Sequence, residues 1–561
     1  MERRDPSSPA SSVARRDFLK LSGLGAAALA AGSGSCTPGD EAHGPDARED
    51  AQWWSRLAFD LEEKTIAELQ EGMASGRWTS RGITALYLDR IVLLDRNGPK
   101  LRALIETNPE ALDIADALDS ERREGRLRGP LHGIPILVKD NIDTADGMTT
   151  TAGSLALEGH HAARDSWVAE RLRAAGAIIL GKANLSEWAN FRSTNSSSGW
   201  SGRGGQCGNP WALDRNPCGS SSGSAAAASA NFTAAAIGTE TNGSIICPAS
   251  INGVVGIKPT VGLVGRSGII PIAHTQDTAG PMCRTVADAA ALLGPLAGVD
   301  PRDAATQASQ GNAHADYTRF LDPEGLRGAR IGVERSFFGG DARVDALMED
   351  AIQAMARAGA VVVDNTLLAT RRQISAPSYQ VLLYEFKADL AAYLEMSGHP
   401  NGMRGLAELI AFNEANRDRE MPFFGQEIFE QAEAKGDLTT PEYRESLDTA
   451  LRLARAEGID ALMEEHRLDA IVSPSTRPAW MTDLVNNGGS SGGSSGPAAI
   501  AGYPSITVPN GYVMGLPVGI LFSGRAWSEP TLIRIAYGYE QATRHRRAPK
   551  LPLSLNLRDA V

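Results

Sequence analysis

Short apolar runs alternate with helical patterns along most of the chain, and this alternation restricts the fold that it can adopt. The segments between the runs place apolar residues three and four positions apart, which is typical of amphipathic helices. Runs that are apolar throughout indicate strands covered on both faces of a sheet. The pattern therefore predicts an α/β fold with a mixed β-sheet covered by helices on both faces. The runs predicted to be strands are 133–140, 176–185, 329–334, 359–365 and 468–474.

One long interval of the chain has no strand pattern. Residues 373–466 are charged and mainly helical in pattern, with the clearest helices at 385–396 and 440–458. The interval lies far in sequence from the glycine-rich centre of the chain. We predict that it is a helical insertion on the substrate side of the domain.

The composition is that of a globular protein with a large core, since 42% of the 561 residues are hydrophobic and 22% are charged. The formal net charge is -12. Nucleic-acid binding needs clustered lysine and arginine, so we expect no nucleic-acid partner. We expect a monomer or a homodimer.

The five cysteines do not have the spacing of a metal site. No pair is separated by two residues, and no histidine lies close to them in the manner of a zinc finger. We therefore expect no metal and predict buried free thiols, with one disulfide left open if the chain is exported. The cysteines are Cys36, Cys207, Cys218, Cys247 and Cys283.

The N-terminus has the pattern of an export signal. ARRDFLK at 14–20 precedes the short apolar stretch 21–31, and the whole resembles a twin-arginine signal, with Ala14 in place of the usual serine or threonine. The stretch is too short to span a bilayer. We predict a signal peptide at 1–36, a flexible tether at 37–56 and a periplasmic or other extracytoplasmic location. Cys36 is a candidate for lipidation, although Ser33 fits a lipoprotein motif poorly.

Two tracts rich in glycine and serine, 216–230 and 486–497, suit either linkers or catalytic loops. The first contains GSSSG at 219–223, which matches the nucleophile-elbow motif with Ser221 as nucleophile and a later histidine, such as His274 or His545, as base. An elbow follows a strand, whereas ALDRNP precedes this tract without an apolar run. The elbow is therefore the weaker interpretation.

Several motifs together resemble the amidase signature family, and within it the bacterial peptide amidases. They are HGIPILVKDNID at 132–143, GKANLSEWANF at 181–191, NPCGSSSGSAAA at 216–227, GTETNGSIICPA at 238–249 and NGVVGIKPTVG at 252–262. The likeness continues into AGYPSITVPNGY at 501–512 and covers roughly residues 57–550. It implies the amidase signature fold, with a single large domain over 57–555.

The resemblance also implies the residues of the site. It places a catalytic lysine at Lys139, a bridging serine at Ser220 and a nucleophile at Ser244, and it implies a cis peptide bond before Ser220. The backbone N–H groups of Thr241, Asn242, Gly243 and Ser244 would form the oxyanion hole. Ala189 matches a position whose backbone contacts the substrate, and the tract 486–497 is expected to be a loop beside the pocket.

The implied chemistry needs a neutral lysine. The ordinary lysine pKa is about 10.4, and burial away from counter-charges lowers it. Asp140 is the next residue, but neighbouring strand side chains point to opposite faces, so it need not pair with Lys139. Ser220 would relay the proton between Lys139 and Ser244. No cofactor is implied.

These observations predict an exported amidase that cleaves carboxamides through an acyl-enzyme on Ser244. Peptide C-terminal amides are the leading substrate class. Fatty-acid and aryl amides, esters and carbamates are alternatives on the same residues. A transamidation subunit that hands ammonia to a second site would work in the cytoplasm, so the signal counts against it. A non-catalytic binding role conflicts with a complete set of catalytic residues.

Overall fold

A mixed eleven-stranded sheet organises the computed structural model, which describes residues 54, 57–486, 489 and 492–555. The predicted signal peptide and Cys36 lie outside the described residues, as does the predicted tether apart from Trp54. The strands are β1 Leu104–Thr107, β2 Pro135–Lys139, β3 Ile178–Ala183, β4 Trp200–Ser201, β5 Gly205–Gln206, β6 Ala235–Glu240, β7 Val255–Lys258, β8 Thr278–Cys283, β9 Arg330–Glu334, β10 Val361–Thr366, β11 Ala470–Pro474, β12 Ser505–Val513 and β13 Leu516–Ser523.

The strand order across the large sheet is β1-β3-β2-β6-β8-β7-β12-β13-β11-β9-β10, and β4 and β5 form a separate pair. Strand β2 runs parallel to β3 and β6, and β9 runs parallel to β10 and β11. The strands between these two groups pair antiparallel. All five predicted strands are present, as β2, β3, β9, β10 and β11.

Helices surround the sheet. Every residue of β2, β3, β6, β8 and β11 is buried, which requires cover on both faces because side chains alternate along a strand. The helices are α1 Ile66–Ala74, α2 Ser80–Ile91, α3 Ala111–Arg123, α4 Trp167–Ala174, α5 Ser222–Ser229, α6 Ile246–Ile251, α7 Val286–Leu296, α8 Ala342–Arg357, α9 Ser375–Met396, α10 Leu406–Ala415, α11 Arg417–Glu420, α12 Glu427–Glu433, α13 Pro441–Ala454, α14 Asp460–Glu465, α15 Gly496–Ala501 and α16 Glu529–Thr543.

The first glycine-serine tract is not a linker. Its second half forms α5, and every residue of this helix is buried. Its small side chains let the helix approach other backbone closely. A Cβ at Gly223 would lie 2.1 Å from the Ala103 carbonyl oxygen and 2.6 Å from Asn184 backbone atoms, so only glycine fits there.

The interval 373–466 is helical, as the sequence predicts, and contains α9 to α14. Its apolar side chains form a second core with Trp188 and Phe191, in which Phe386 and Phe429 are fully buried. The ring of Trp188 meets that of Phe429 edge-on at 5.8 Å between centroids. Within the described part of the chain, no helix combines the length and the hydropathy needed to cross a membrane.

Candidate active site

Lys139 is the last residue of β2 and is completely buried. Its Nζ lies 2.7 Å from Ser220 Oγ, 2.8 Å from Thr239 Oγ1 and 3.3 Å from the Thr239 carbonyl oxygen. Parallel pairing of β2 with β6 brings Thr239 alongside it. Asp140 is bonded elsewhere, since its carboxylate accepts hydrogen bonds from Thr151 Oγ1 and the Gly153 amide.

Burial lowers the pKa of Lys139 to about 7, although the carboxylates of Asp277 and Glu240 act in the opposite direction. No described residue forms an ion pair with Lys139 that would hold it in the charged form. A neutral amine has two N–H donors and one lone pair, which match its contacts: Thr239 accepts twice, and the Ser220 hydroxyl can donate to the amine. The site therefore contains a lysine able to accept a proton near neutral pH.

Ser220 is fully buried and follows a cis peptide bond from Gly219, as the family resemblance implies. A Cβ at Gly219 would lie 2.1 Å from Ser186 Oγ and 2.7 Å from Ser198 Oγ, so a larger residue does not fit there. The Ser186 amide donates to the Ser220 carbonyl oxygen at 3.0 Å. These contacts fix the Ser220 backbone beside Lys139.

Ser221 has a structural role. It is fully buried, and its hydroxyl donates to the Thr239 carbonyl oxygen at 3.0 Å and accepts from the Thr239 amide at 3.2 Å. No strand leads directly into its turn, since β5 ends at Gln206, and no histidine is among its hydrogen-bond partners in the described part of the chain. The nucleophile-elbow alternative lacks both of the features that it needs.

Ser244 lies between β6 and α6 and is 8% exposed. Its carbonyl oxygen accepts from the Ser221 amide at 3.2 Å, which joins its segment to the triple serine. One carboxylate oxygen of buried Glu240 accepts from the amides of Ile245 at 2.8 Å and Ile246 at 3.0 Å. Glu240 thereby fixes the backbone that immediately follows Ser244.

The turn before Ser244 presents free amide groups. Gly243 has a φ of +81°, a conformation that favours glycine. Within the described ranges, the N–H groups of Asn242, Gly243 and Ser244 have no hydrogen-bond acceptor. Ser495 lies against this turn, because its hydroxyl donates to Asn242 Oδ1 at 3.2 Å. The second glycine-serine tract therefore reaches the same place as the predicted oxyanion hole.

Asp277 anchors the other side of this turn. It lies outside the motifs that predict the site, so its role could not be predicted from the sequence. Its Oδ1 accepts from Thr241 Oγ1 at 2.5 Å, and its Oδ2 accepts from the amides of Ile272 and Ala273 at 2.8 and 2.9 Å. Burial raises the pKa of this carboxyl, while the three hydrogen bonds lower it. Asp277 thus joins Thr241 to the loop that lines the adjoining cavity.

A cavity of about 320 Å³ adjoins the site. Its lining includes Asn141, Thr239, Thr241 and Asp277 from around the lysine. Ala189 also lines it, and φ is positive at Trp188, Ala189 and Asn190 in succession. The long helix α9 contributes Asp389, Ala392, Tyr393 and Met396 to the wall.

The far wall of the cavity is charged. Arg266 forms a bidentate pair with Asp303, at 2.7 Å for each of Nε and Nη2. His274 Nδ1 lies 2.9 Å from Asp389 Oδ2 and its Nε2 lies 3.5 Å from Glu385. Partial burial lowers the pKa of His274, but the hydrogen bond to Asp389 and the charge of Glu385 outweigh burial and raise it. The cavity therefore has a polar end and an apolar wall, which suits a small organic substrate.

The cysteine prediction is wrong for one pair. Cys218 and Cys247 form a disulfide with 6.0 Å between their Cα atoms. Cys207 and Cys283 are buried free thiols, as predicted. Cys218 and Cys247 are 29 residues apart, and no local pattern links them. The sequence left a disulfide open but could not assign its partners.

The sheet and helices have the amidase signature fold, and enzymes of this class hydrolyse amides. The chain belongs to the amidase signature family, since the family model described as Amidase matches residues 83–533. The predicted family and fold are confirmed, and the chain is an amidase.

Known relatives agree with this assignment. The crystal structure of native peptide amidase from Stenotrophomonas maltophilia is 53% identical, with a TM-score of 0.83, and the match covers 88% of this chain and 99% of that one. A probable amidase of Arabidopsis thaliana is 44% identical over 502 residues, or 88% of this chain and 92% of the relative. A glutamyl-tRNA(Gln) amidotransferase subunit of Halorhodospira halophila is 35% identical over 515 residues, or 87% of this chain and 99% of that relative.

Proposed function

We propose that this amidase hydrolyses the C-terminal carboxamide of peptides, using Lys139, Ser220 and Ser244. The observation that carries the proposal is the 2.7 Å contact between the buried amine of Lys139 and Ser220 Oγ. The substrate class is supported by the 53% identity to a protein named as a peptide amidase, which exceeds the 35% identity to the transamidation subunit.

The reaction follows from the order of the three groups. Neutral Lys139 takes the Ser220 proton while Ser220 takes the Ser244 proton, so that Ser244 Oγ attacks the carboxamide carbon. The amides of Thr241, Asn242, Gly243 and Ser244 would donate to the resulting oxyanion. Ser220 then returns the proton to the leaving nitrogen, and ammonia departs. Water repeats the sequence on the ester of Ser244 and releases the carboxylate.

The cavity supports a substrate with a short chain. Its volume of about 320 Å³ lies at the lower end of the usual range for small-molecule sites, roughly 300–1,000 Å³. Apolar Ile270, Ala392 and Met396 suit an aliphatic or aromatic side chain, and the charged wall suits the polar groups of a peptide backbone. The substrate carboxamide would lie toward Thr241 and its adjoining turn.

The proposal is tested by a substrate panel. Peptide amides, fatty-acid amides, anilides, carbamates and esters with matched side chains are ranked by kcat/KM. We expect peptide amides to lead by at least about tenfold, which is about 1.4 kcal/mol in the transition state. A different leading class would reject the peptide substrate while leaving the amidase assignment in place.

Transamidation is the second candidate function, because the match to a glutamyl-tRNA(Gln) amidotransferase subunit covers 87% of this chain. For transamidation, the chain would act as a glutaminase and release ammonia from free glutamine. We expect glutamine to be a poor substrate beside a peptide amide that ends in the same side chain. A higher kcat/KM for free glutamine would favour transamidation.

We also propose that the chain is exported. The arginine pair at 15–16 and the small-residue stretch at 21–31 support this location. The Cys218–Cys247 disulfide also suits an oxidising compartment. N-terminal sequencing of the mature enzyme separates a cleaved signal from a lipid on Cys36.

A further inference from the structure

The disulfide joins the two segments that hold the proposed catalytic serines. Cys218 is two residues before Ser220, and Cys247 is three residues after Ser244. The two segments come from opposite ends of a 29-residue separation that includes α5 and β6. A covalent bond therefore connects them directly at the site.

Each half of the disulfide is hydrogen-bonded to residues that flank the serine it accompanies. The Cys218 amide donates to Asn216 Oδ1 at 2.8 Å, and its carbonyl oxygen accepts from Ser222 Oγ at 2.6 Å. The Cys247 amide donates to the Gly243 carbonyl oxygen at 2.8 Å, one residue before Ser244. A shift of either sulfur would be transmitted to the neighbouring serine through these short turns.

Hydrogen bonds also cross between the segments. The Ser221 amide donates to the Ser244 carbonyl oxygen at 3.2 Å, and Asn252 Nδ2 donates to the Pro217 carbonyl oxygen at 2.8 Å. A single hydrogen bond can lengthen or break at a small net cost, so neither of them fixes the separation of the serines as a covalent bond does. Proton relay between the Ser220 and Ser244 hydroxyls requires the two groups to come within hydrogen-bond reach of each other.

We propose that the Cys218–Cys247 disulfide positions Ser220 against Ser244, and that amide hydrolysis by this chain depends on its being formed. The inference rests on the proposed serine roles. The disulfide takes no part in bond making; it is a positioning element. Loss of the disulfide would leave the contact between Ser220 and Lys139 in place. It would let the distance between the Ser220 and Ser244 hydroxyls vary.

The surroundings allow the bond to be reduced in the folded enzyme. Cys218 packs against the apolar side chains of Ala212 and Ala479 and is 7% exposed, whereas Cys247 is partly exposed. We expect a small dithiol to attack at Cys247, which is the partly exposed half of the bond. The dithiol gives up two electrons and two protons and becomes a cyclic disulfide, and the enzyme gains two thiols. Molecular oxygen or an exchangeable disulfide reverses the change.

The test uses the full-length enzyme with a peptide amide and a simple anilide. The double variant Cys218→Ala/Cys247→Ala is compared with Cys207→Ala/Cys283→Ala, which removes the two buried free thiols. We expect kcat of the first variant to fall about 100-fold with little change in KM, since a displacement of about 1 Å has that effect on rate. The second variant should keep the wild-type kcat.

Dithiothreitol provides a second measurement that does not depend on how the variant folds. Reduced wild-type enzyme, shown by circular dichroism to be folded and by thiol counting to have gained two thiols, should match the double variant, and reoxidation should restore its rate. The double variant should not respond to the reagent. A reduced, folded enzyme with unchanged kcat would overturn the inference. If the anilide is cleaved and peptide amides are not, only the proposed substrate fails.

Discussion

At the scale of single residues, burial explains only part of the behaviour of Lys139. Lys182 and Lys258 are also completely buried, and burial lowers the pKa of each. Lys182 donates to the Ile142 carbonyl oxygen and to Thr150, and Lys258 donates to the Pro259 carbonyl oxygen. Among these three lysines, only Lys139 contacts a serine hydroxyl. The catalytic lysine is therefore distinguished by the group that its amine contacts, and not by how deeply it is buried.

Substitution of the proposed catalytic residues should separate the triad from the nucleophile elbow. We expect Ser244→Ala to lower kcat about 10⁴-fold or more, because the acyl-enzyme cannot form. Lys139→Ala should lower it about 10³-fold, because the base is lost. Single-turnover kinetics on an activated anilide measures both effects.

Two further variants serve as comparisons for this prediction. Ser221→Ala should still form the acyl-enzyme, because its hydroxyl bonds to the Thr239 backbone. His545→Ala should keep the wild-type rate, since its ring packs against Tyr539. An inactive Ser221→Ala and an inactive His545→Ala, beside an active Lys139→Ala, would restore the elbow.

The charge of Asp277 should shift the pH at which the enzyme becomes active. Hydrolysis needs neutral Lys139, so kcat/KM should rise with pH through a pKa of about 7. The charge of Asp277 favours the protonated amine. Asp277→Asn removes that charge and keeps the shape, so the rise should move to lower pH.

A pH–rate profile of kcat/KM checks this shift. The matched comparison is Asp288→Asn, which changes a buried carboxylate bonded to the Ile66 amide. Asp288 is not among the charges that act on Lys139, so its profile should coincide with that of the wild type. A rise that stays in place or moves to higher pH in Asp277→Asn would contradict the assignment.

The sequence identified the residues that belong to a family motif and missed those that are joined only in space. Lys139, Ser220 and Ser244 were predicted because each lies in a family motif and the motifs follow one another in a fixed order along the chain. Asp277 reaches Thr241 across 36 residues, and the disulfide partners lie 29 residues apart. Such pairings depend on how strands are ordered in the sheet, and no local periodicity encodes that order. The roles of the three motif residues stay predictions until they are substituted.

At the scale of elements, the predicted strands are those rich in valine, isoleucine and leucine. Strands β6, β7 and β8 were not predicted individually, because each is interrupted by glycine. Packing explains this composition. A Cβ at Gly280 would lie 2.0 Å from the Ile257 carbonyl oxygen, and one at Gly256 would lie 2.7 Å from Ala249 Cβ. Glycine is therefore required in these strands where α6 and the neighbouring strand approach closely, and it weakens the strand pattern in the sequence.

A buried ion network ties the turn around Ala189 to the helical interval. Arg192 Nη1 contacts Glu187 and donates to the Glu420 carbonyl oxygen at 2.6 Å, and all three side chains are at most 1% exposed. Glu420 in turn accepts from the Leu155 amide at 2.6 Å. Burial raises the pKa of Glu187 well above its usual range, and Arg192 acts against that rise.

Removal of Arg192 should destabilise the enzyme strongly. Arg192→Ala leaves the carboxylates of Glu187 and Glu420 buried without their cation, and loss of one partner from a buried ion pair costs about 3–5 kcal/mol. Urea unfolding measures the change in the free energy of unfolding. Arg327→Ala, which breaks an exposed pair with Glu324, should leave that free energy nearly unchanged. Equal effects of the two substitutions would contradict a role for burial.

At the scale of the whole molecule, the cavity, the disulfide and the N-terminal pattern bear on one question, which is where the enzyme works. Helix α9 of the helical interval, Thr239 of β6 and the loop at 266–277 line the cavity. A twin-arginine route carries proteins that are already folded. The Cα atoms of Cys218 and Cys247 are 6.0 Å apart, which is within the usual range for a disulfide, so the proposed export of a folded chain is compatible with later formation of this bond.

Export should depend on Arg15 and Arg16 and not on arginine pairing in general. The chain offers a matched control, because a second arginine pair lies at 3–4, outside the FLK context of 18–20. We expect Arg15→Lys/Arg16→Lys to keep the enzyme in the cytoplasm, where Cys218 and Cys247 stay reduced and the specific activity is lower. Arg3→Lys/Arg4→Lys should be exported and oxidised like the wild type. Cell fractionation with thiol labelling measures both properties, and equal export of the two variants would reject the twin-arginine interpretation.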